Sequence, residues 1–188
     1  MSGAAEQPAR PRPYVKRAGD AATAARLRRE RELLALAQLP GVVQLVALEG
    51  PPHDPVLATA RVDGPDLARA SDLTDEEVAA VVAEVAVTLA DLHELGIVHG
   101  AVVPGHVLLA PDGRPVLCGF GYGARAGEPP VAEAPLPAAA VDAARAEGAP
   151  LTPASDVLAL GALLDTMLAT AQTTPAGEGH RDALRALV

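Results

Sequence analysis

Two histidines frame the segment of this chain most suited to chemistry. Residues 99–109 read HGAVVPGHVLL, with His99 at the start, His106 near the end and a Pro-Gly turn between them. An imidazole exchanges a proton near neutral pH or binds a metal ion. The segment contains no carboxylate and no lysine, and Asp112 is the only acid between His99 and Arg125. It therefore has the layout of a catalytic loop but lacks charged groups.

A metal site and a phosphate-binding loop are the two alternatives for this region. His93, His99, His106 and Cys118 carry zinc-binding atoms, but their spacing fits no usual zinc pattern. Residues 119–123 read GFGYG, yet no helical pattern follows these glycines. We therefore predict no metal ligands and no phosphate cradle here.

Short strands and amphipathic helices are predicted on both sides of the loop. Apolar runs bounded by Gly and Pro predict strands in PYVKR, GVVQLVAL and PVLATARV, and residues 23–39 have a helical pattern. Thr74 and Glu77 form a capping box for a second helix. HVLLA and RPVLC flank Pro-Asp-Gly, which predicts a hairpin. DVLALGALLDTMLA is apolar nearly all round, which indicates a helix buried on most sides.

The order of these elements, with the residues at their joints, resembles the protein-kinase family from about Tyr14 onwards. LHELGIVHGAVVPGHVLLAPDGRPVLCGFG has the rhythm of the kinase segment from the catalytic loop to Asp-Phe-Gly. RVDGPDL resembles the hinge between the lobes, and TPASDVLALGALLDTML resembles the central helix of the helical lobe. Gly100 and PGHVLL are also similar to the related small-molecule phosphotransferases.

The resemblance implies an α+β fold, namely a protein kinase-like two-lobe fold. Residues 1–13 would be a disordered arm. Residues 14–64 would form a truncated N-lobe, a short antiparallel sheet plus one helix. Residues 65–188 would form a mainly helical, incomplete C-lobe, with a mobile activation-loop-like segment at 124–150. That segment contains no Ser, Thr or Tyr, so phosphorylation within it cannot act as a switch.

The positions that carry kinase chemistry hold unsuited residues. By the resemblance, the catalytic Asp falls on Ala101, the phosphate-steadying Lys on Val103, the magnesium-binding Asn on His106 and the metal-binding Asp on Gly119. Phosphoryl transfer depends on positioning and charge neutralisation, and magnesium prefers carboxylate oxygens. The resemblance therefore implies no catalytic residue, no metal site and no enzymatic activity.

Nucleotide contact is predicted to be weak or absent, so no cofactor is expected. The residues placed to make it are Tyr14, Lys16, Glu32 and Thr59. Lys16 and Glu32 match the family's strand lysine and helix glutamate, whereas Tyr14 stands where the family keeps a small residue, and its ring would fill the adenine's volume. Gly3 is the only glycine before Lys16, so the Gly-rich loop is missing.

The structural positions of the family are better kept than the catalytic ones. Leu36, His99, Phe120 and Asp156 match the hydrophobic spine and its anchor in the central helix. A kept scaffold with lost chemistry is typical of a pseudokinase. We therefore expect a regulatory or scaffolding module that binds a protein partner, such as an active kinase or a phosphopeptide-reading domain.

Other readings remain open at this point. The chain could be a residual ATP-binding serine/threonine kinase or small-molecule phosphotransferase that uses non-standard residues, with Glu128 or Glu133 as the nearest acids. It could also be a fragment of a longer, membrane-anchored protein. Loss of two strands would expose the edge of the small sheet as a binding surface.

Composition points to a soluble protein of the cytoplasm. The net charge is −9, which opposes nucleic-acid binding, and the single cysteine fits a reducing compartment. No apolar run reaches the length of a membrane span, and the first residues lack the apolar core of a signal peptide. The N-terminal part is nevertheless basic, either as a solvated helix face or as a docking patch for an acidic or phosphorylated partner. Its cations are Arg10, Arg12, Lys16, Arg17, Arg26, Arg28, Arg29 and Arg31.

Overall fold

The computed structural model describes residues 12–129 and 149–171, which form a mixed α/β structure with three α-helices and short antiparallel sheets. The first half contains a three-stranded sheet in the order β1-β3-β2 and one helix. Its elements are β1 (Tyr14–Arg17), α1 (Ala21–Leu36), β2 (Leu45–Glu49) and β3 (Val56–Thr59). The Asp20 carboxylate caps α1 by accepting a hydrogen bond from the Thr23 N–H at 2.6 Å.

The second half combines two long helices with two small two-stranded sheets. The predicted capping box is confirmed at Thr74 and Glu77. The predicted Pro-Asp-Gly hairpin is confirmed as the pair β5–β6, and β4 pairs with β7. The elements are α2 (Asp75–Glu94), β4 (Ile97–Val98), β5 (Val107–Leu109), β6 (Pro115–Leu117), β7 (Ala124–Arg125) and α3 (Pro153–Thr170).

Main-chain hydrogen bonds join the two halves at β5 and β6. The Val43 N–H donates to the Leu117 carbonyl at 2.9 Å, and the Leu117 N–H donates to the Gly41 carbonyl at 2.8 Å. On the other strand of the hairpin, the Leu109 N–H donates at 2.8 Å to the carbonyl of Pro65, in the segment that connects β3 to the second half. Apolar side chains from α1, α2, β6 and α3 share one buried cluster, so the described residues have a common core.

Two expectations about the second half need correction. The helix α3 is not buried on most sides, because Val157 and Leu158 are 61% and 62% exposed. The segment 124–150 does not begin as a loop. Ala124 and Arg125 pair with β4, and the Gly127 N–H donates to the Leu151 carbonyl at 3.0 Å. Residues 130–148, like residues 1–11, lie outside the described residues.

No helix within residues 12–129 and 149–171 combines the length and apolarity that a membrane crossing requires.

Candidate functional site

A cavity of about 740 Å³ lies between the sheet of the first half and the β5–β6 hairpin of the second. This volume is in the range of small-molecule sites. Tyr14 and Lys16 of β1 and Thr59 of β3 line one side of the cavity, while His106 and Gly119 line the other. The structure thus brings together most of the residues that the sequence singled out for nucleotide and metal contact.

The Asp156 carboxylate, fully buried on α3, fixes the start of the histidine loop. Its Oδ2 accepts the His99 N–H at 2.8 Å and its Oδ1 accepts the Gly100 N–H at 2.7 Å. His93 Nε2 of α2 lies 2.9 Å from Oδ2. These contacts satisfy a buried carboxylate that would otherwise be costly to bury. They also tie α2, α3 and the loop at one point.

The His99 side chain has a structural position rather than a reactive one. The Ala101 N–H donates to Nδ1 at 3.2 Å, so Nε2 carries the proton and donates to the Cys118 carbonyl at 2.9 Å. The ring is fully buried, and its centroid lies 4.6 Å from that of Phe120 in an edge-on arrangement. Both ring nitrogens therefore face main-chain groups.

His106 and Gly119 are in direct steric contact across the cavity floor. His106 Nδ1 donates to the Ala101 carbonyl at 2.8 Å, which fixes the ring over Gly119. A Cβ added at Gly119 would lie 2.7 Å from three atoms of that ring, and Gly119 has a φ of +85°. Burial lowers the pKa of His106 from its ordinary value, which favours the neutral ring. The imidazole occupies the volume that any side chain at Gly119 would need.

A partly buried ion pair links β1 to α1 beside the cavity. Lys16 Nζ lies 2.6 Å from Glu30 Oε1, and the Glu30 side chain is only 4% exposed. The predicted partner, Glu32, is wrong. Its side chain is 58% exposed and lies 3.7 Å from Arg29 Nη1. Two helical positions correspond to about 200° of rotation, so Glu32 points away from β1.

Comparison with known proteins adds one match to this geometry. No protein-family model matches the sequence. The chain is 34% identical over 157 residues to the serine/threonine-protein kinase PkaA of Streptomyces coelicolor. This match supports a protein kinase-like relationship. It covers 78% of this chain but only 29% of that protein, so the chain spans less than a third of the relative's length.

The four residues that the resemblance matches to a kinase-like spine differ in burial. His99, Phe120 and Asp156 are fully buried. Leu36 is wrong as a buried position, because it is 51% exposed at the end of α1. Leu34, which is fully buried, lies two residues earlier. The two errors on α1 have the same size, because in each case the buried residue lies two positions before the predicted one.

The kinase-like catalytic positions bring no acid to the cavity. Ala101 is fully buried and Val103 is half-buried. Glu128, one of the two substitute acids considered above, accepts from Arg29 Nη1 at 3.2 Å and does not line the cavity. Glu133 lies outside the described residues. Within those residues, no cluster of three or more His, Cys, Asp or Glu side chains is arranged to hold a metal ion.

Tyr14 lines the cavity instead of filling it. The residue is 55% exposed, and the cavity keeps its volume beside it. Tyr14 pairs in register with Thr59, which is almost fully buried. The expectation that the ring occupies the adenine's volume is therefore not supported by this conformation.

The cavity lining also includes Cys118 and a carboxylate, Asp66, that the sequence analysis did not single out. Asp66 lies in the segment matched to the hinge, and its Oδ2 accepts from Arg69 at 2.8 Å. Its Oδ1 is buried without a hydrogen-bond partner in the described part of the chain. Burial raises the pKa of Cys118 to about 11, so its thiol stays protonated at neutral pH. The only feature of the sequence that could have singled out Asp66 is its position in the hinge-like segment RVDGPDL.

Proposed function

We propose that this chain is a catalytically inactive protein kinase-like module, a pseudokinase, that acts as a regulatory or scaffolding protein-binding domain. The observation that carries the proposal is the His106 ring against Gly119. The two positions that the resemblance assigns to metal binding are occupied by an imidazole and by a glycine that the imidazole blocks. The proposal includes a two-lobe, protein kinase-like fold.

The charges around the cavity support this reading. Phosphoryl transfer requires a magnesium ion on carboxylate oxygens and a base beside the acceptor hydroxyl. Glu30 is already paired with Lys16, and Asp66 lies on the hinge side, paired with Arg69. Ala101 offers no base in place of the catalytic aspartate. We therefore infer that magnesium-dependent nucleotide binding is weak or absent and that the chain needs no cofactor.

A second candidate function is a residual nucleotide-binding protein or phosphotransferase. The open cavity, the Lys16–Glu30 pair and Asp66 Oδ1, which has no hydrogen-bond partner among the described residues, favour it, because a kinase-like cleft uses such groups to hold a nucleotide. Binding without catalysis would be compatible with both candidates. Magnesium dependence and turnover separate them.

The test is calorimetric titration of the chain with ATP, with and without magnesium, together with a phosphate-transfer assay on a generic protein substrate. We expect no magnesium-dependent heat and no transfer. Lys16→Met is the matched variant, since it removes the cleft cation and retains an unbranched side chain. Magnesium-dependent binding that Lys16→Met abolishes, accompanied by phosphate transfer, would contradict the proposal and establish the second candidate.

The location and partners belong to the same proposal. We infer a cytoplasmic protein from the lone cysteine and the acidic composition. The same acidity disfavours nucleic acid as a partner. An active kinase or a phosphopeptide-reading domain would suit a module that binds without catalysing.

A further inference from the structure

The outer edge of β1 is an unpaired strand edge within the described residues. The sheet order is β1-β3-β2, so β1 has a neighbour on one side only. Bonds in an antiparallel ladder recur at every second residue. The Ala18 N–H donates to the Pro55 carbonyl at 3.3 Å, so Lys16 and Tyr14 also turn their main-chain groups towards β3. Val15 and Arg17 turn theirs outwards.

The outward groups are open to a further strand. Val15 is 45% exposed and Arg17 is exposed. Within residues 12–129 and 149–171, no hydrogen bond is found to the main-chain N–H or carbonyl of either residue. Pro13, which lacks an N–H, precedes the strand, as is common at sheet edges. An exposed edge of this kind binds extended polypeptide through main-chain hydrogen bonds.

Charge decides which polypeptide fits this edge. The Lys16 charge is neutralised by Glu30, whereas Arg17 and Arg12 are exposed and have no ion pair in the described part of the chain. A second copy of the chain would bring an uncompensated arginine on each strand and no acidic side chain from β1 to pair with it. An acidic strand would instead gain a cross-strand ion pair.

We propose that an extended acidic segment of a partner protein adds to β1 as a fourth strand of the sheet. Val15 and Arg17 lie on the same face, because side chains alternate along a strand. The fitting segment therefore has an apolar residue opposite Val15 and an acidic residue opposite Arg17, two positions apart. The inference rests on the proposed protein-binding role and gives it a partner class. It does not depend on the cleft.

The experiment uses the full chain and a labelled short peptide that repeats Val-Thr-Glu-Thr, which places valine and glutamate two positions apart on one face, with a Val-Thr-Lys-Thr peptide as its counterpart. Fluorescence anisotropy measures binding, and amide hydrogen exchange locates it. We expect the acidic peptide to bind and to protect the Val15 and Arg17 amides. Equal binding of the lysine peptide, or unchanged exchange at both amides, would overturn the proposal.

Two variants test the contacts separately. Arg17→Glu replaces an attraction by a repulsion and should weaken binding about tenfold. Val15→Pro removes an outward N–H that makes no bond to β3 and should weaken binding by a similar factor, about tenfold. Arg114→Glu is the matched control, because it changes the net charge equally on the exposed β5–β6 turn. If Arg114→Glu weakens binding as much as Arg17→Glu, the proposal is wrong.

A second copy is the competing occupant of the edge. Concentration-dependent self-association that Val15→Pro abolishes would assign the edge to a dimer and overturn the acidic-partner proposal. The nucleotide titration described above is independent of this surface. Magnesium-dependent ATP binding would therefore refute the inactive cleft without deciding the peptide result.

Discussion

Gly119 and Gly113 form a matched pair for testing the blocked metal position. Both have a φ of +85°. A Cβ at Gly113 would meet no atom within 4 Å, whereas a Cβ at Gly119 would lie 2.7 Å from the His106 ring. Alanine at either site incurs the same backbone strain, about 1–2 kcal/mol. Only the alanine at Gly119 adds overpacking, which costs about 1–3 kcal/mol in a filled site.

The difference between the two substitutions isolates the steric contact. We expect Gly119→Ala to lower the free energy of unfolding by about 2–5 kcal/mol, the sum of the two costs, and Gly113→Ala by about 1–2 kcal/mol. Urea unfolding at pH 7, followed by circular dichroism, measures both changes. Because the hairpin glycine has the same φ, its variant serves as the control for strain.

A double-mutant cycle assigns the excess cost to the imidazole. In a His106→Ala background the ring is absent, so the cost of Gly119→Ala should fall to the Gly113→Ala value. The coupling energy should be at least about 1 kcal/mol, as expected for residues in contact. Equal costs for Gly119→Ala with and without His106 would refute the reasoning, and the claim that His106 excludes a metal-binding side chain would fail with it.

Three further predictions concern the ion pair, the histidine and the cysteine. Glu30→Gln should lower the free energy of unfolding by about 1.5–3 kcal/mol, because it leaves Lys16 without its charged acceptor, whereas Glu32→Gln should change it by less than about 0.5 kcal/mol; equal effects in urea unfolding would contradict the assigned pair. Since burial lowers the pKa of His106 in the folded chain, the unfolded state binds more protons below the ordinary value of 6.5. Stability should therefore fall as the pH drops from 6.5 towards that lowered pKa, and His106→Gln should flatten this part of the urea-midpoint profile. With a pKa of about 11, Cys118 should react with iodoacetamide at pH 8 far more slowly in the folded chain than in urea; equal rates would contradict its burial.

Local signals were sufficient for several elements of the fold. The Thr74–Glu77 capping box and the Pro-Asp-Gly hairpin form where the sequence predicts them, because the residues that pair in them lie close together in the chain. The lack of acids between His99 and Arg125, other than Asp112, is likewise a property of the sequence alone. No tertiary contact was needed to read it.

The rotational phase of α1 was decided by the tertiary structure. The helix carries alanine, leucine, arginine and glutamate around much of its circumference, so the sequence left open which face meets β1. Packing buries Glu30 and Leu34 and leaves Glu32 and Leu36 exposed. The same limitation applies to α3, since an all-round apolar helix does not reveal which of its faces are covered.

The candidate site likewise combines features that the sequence determined with features that only the tertiary structure decided. The sequence by itself determined which groups are missing, because Ala101, His106 and Gly119 have no carboxylate wherever they lie. Only the tertiary structure decided that His106 lies against Gly119 and that Tyr14 leaves the cavity open. The identity of a residue fixes its chemistry, whereas the space around it depends on elements distant in the chain.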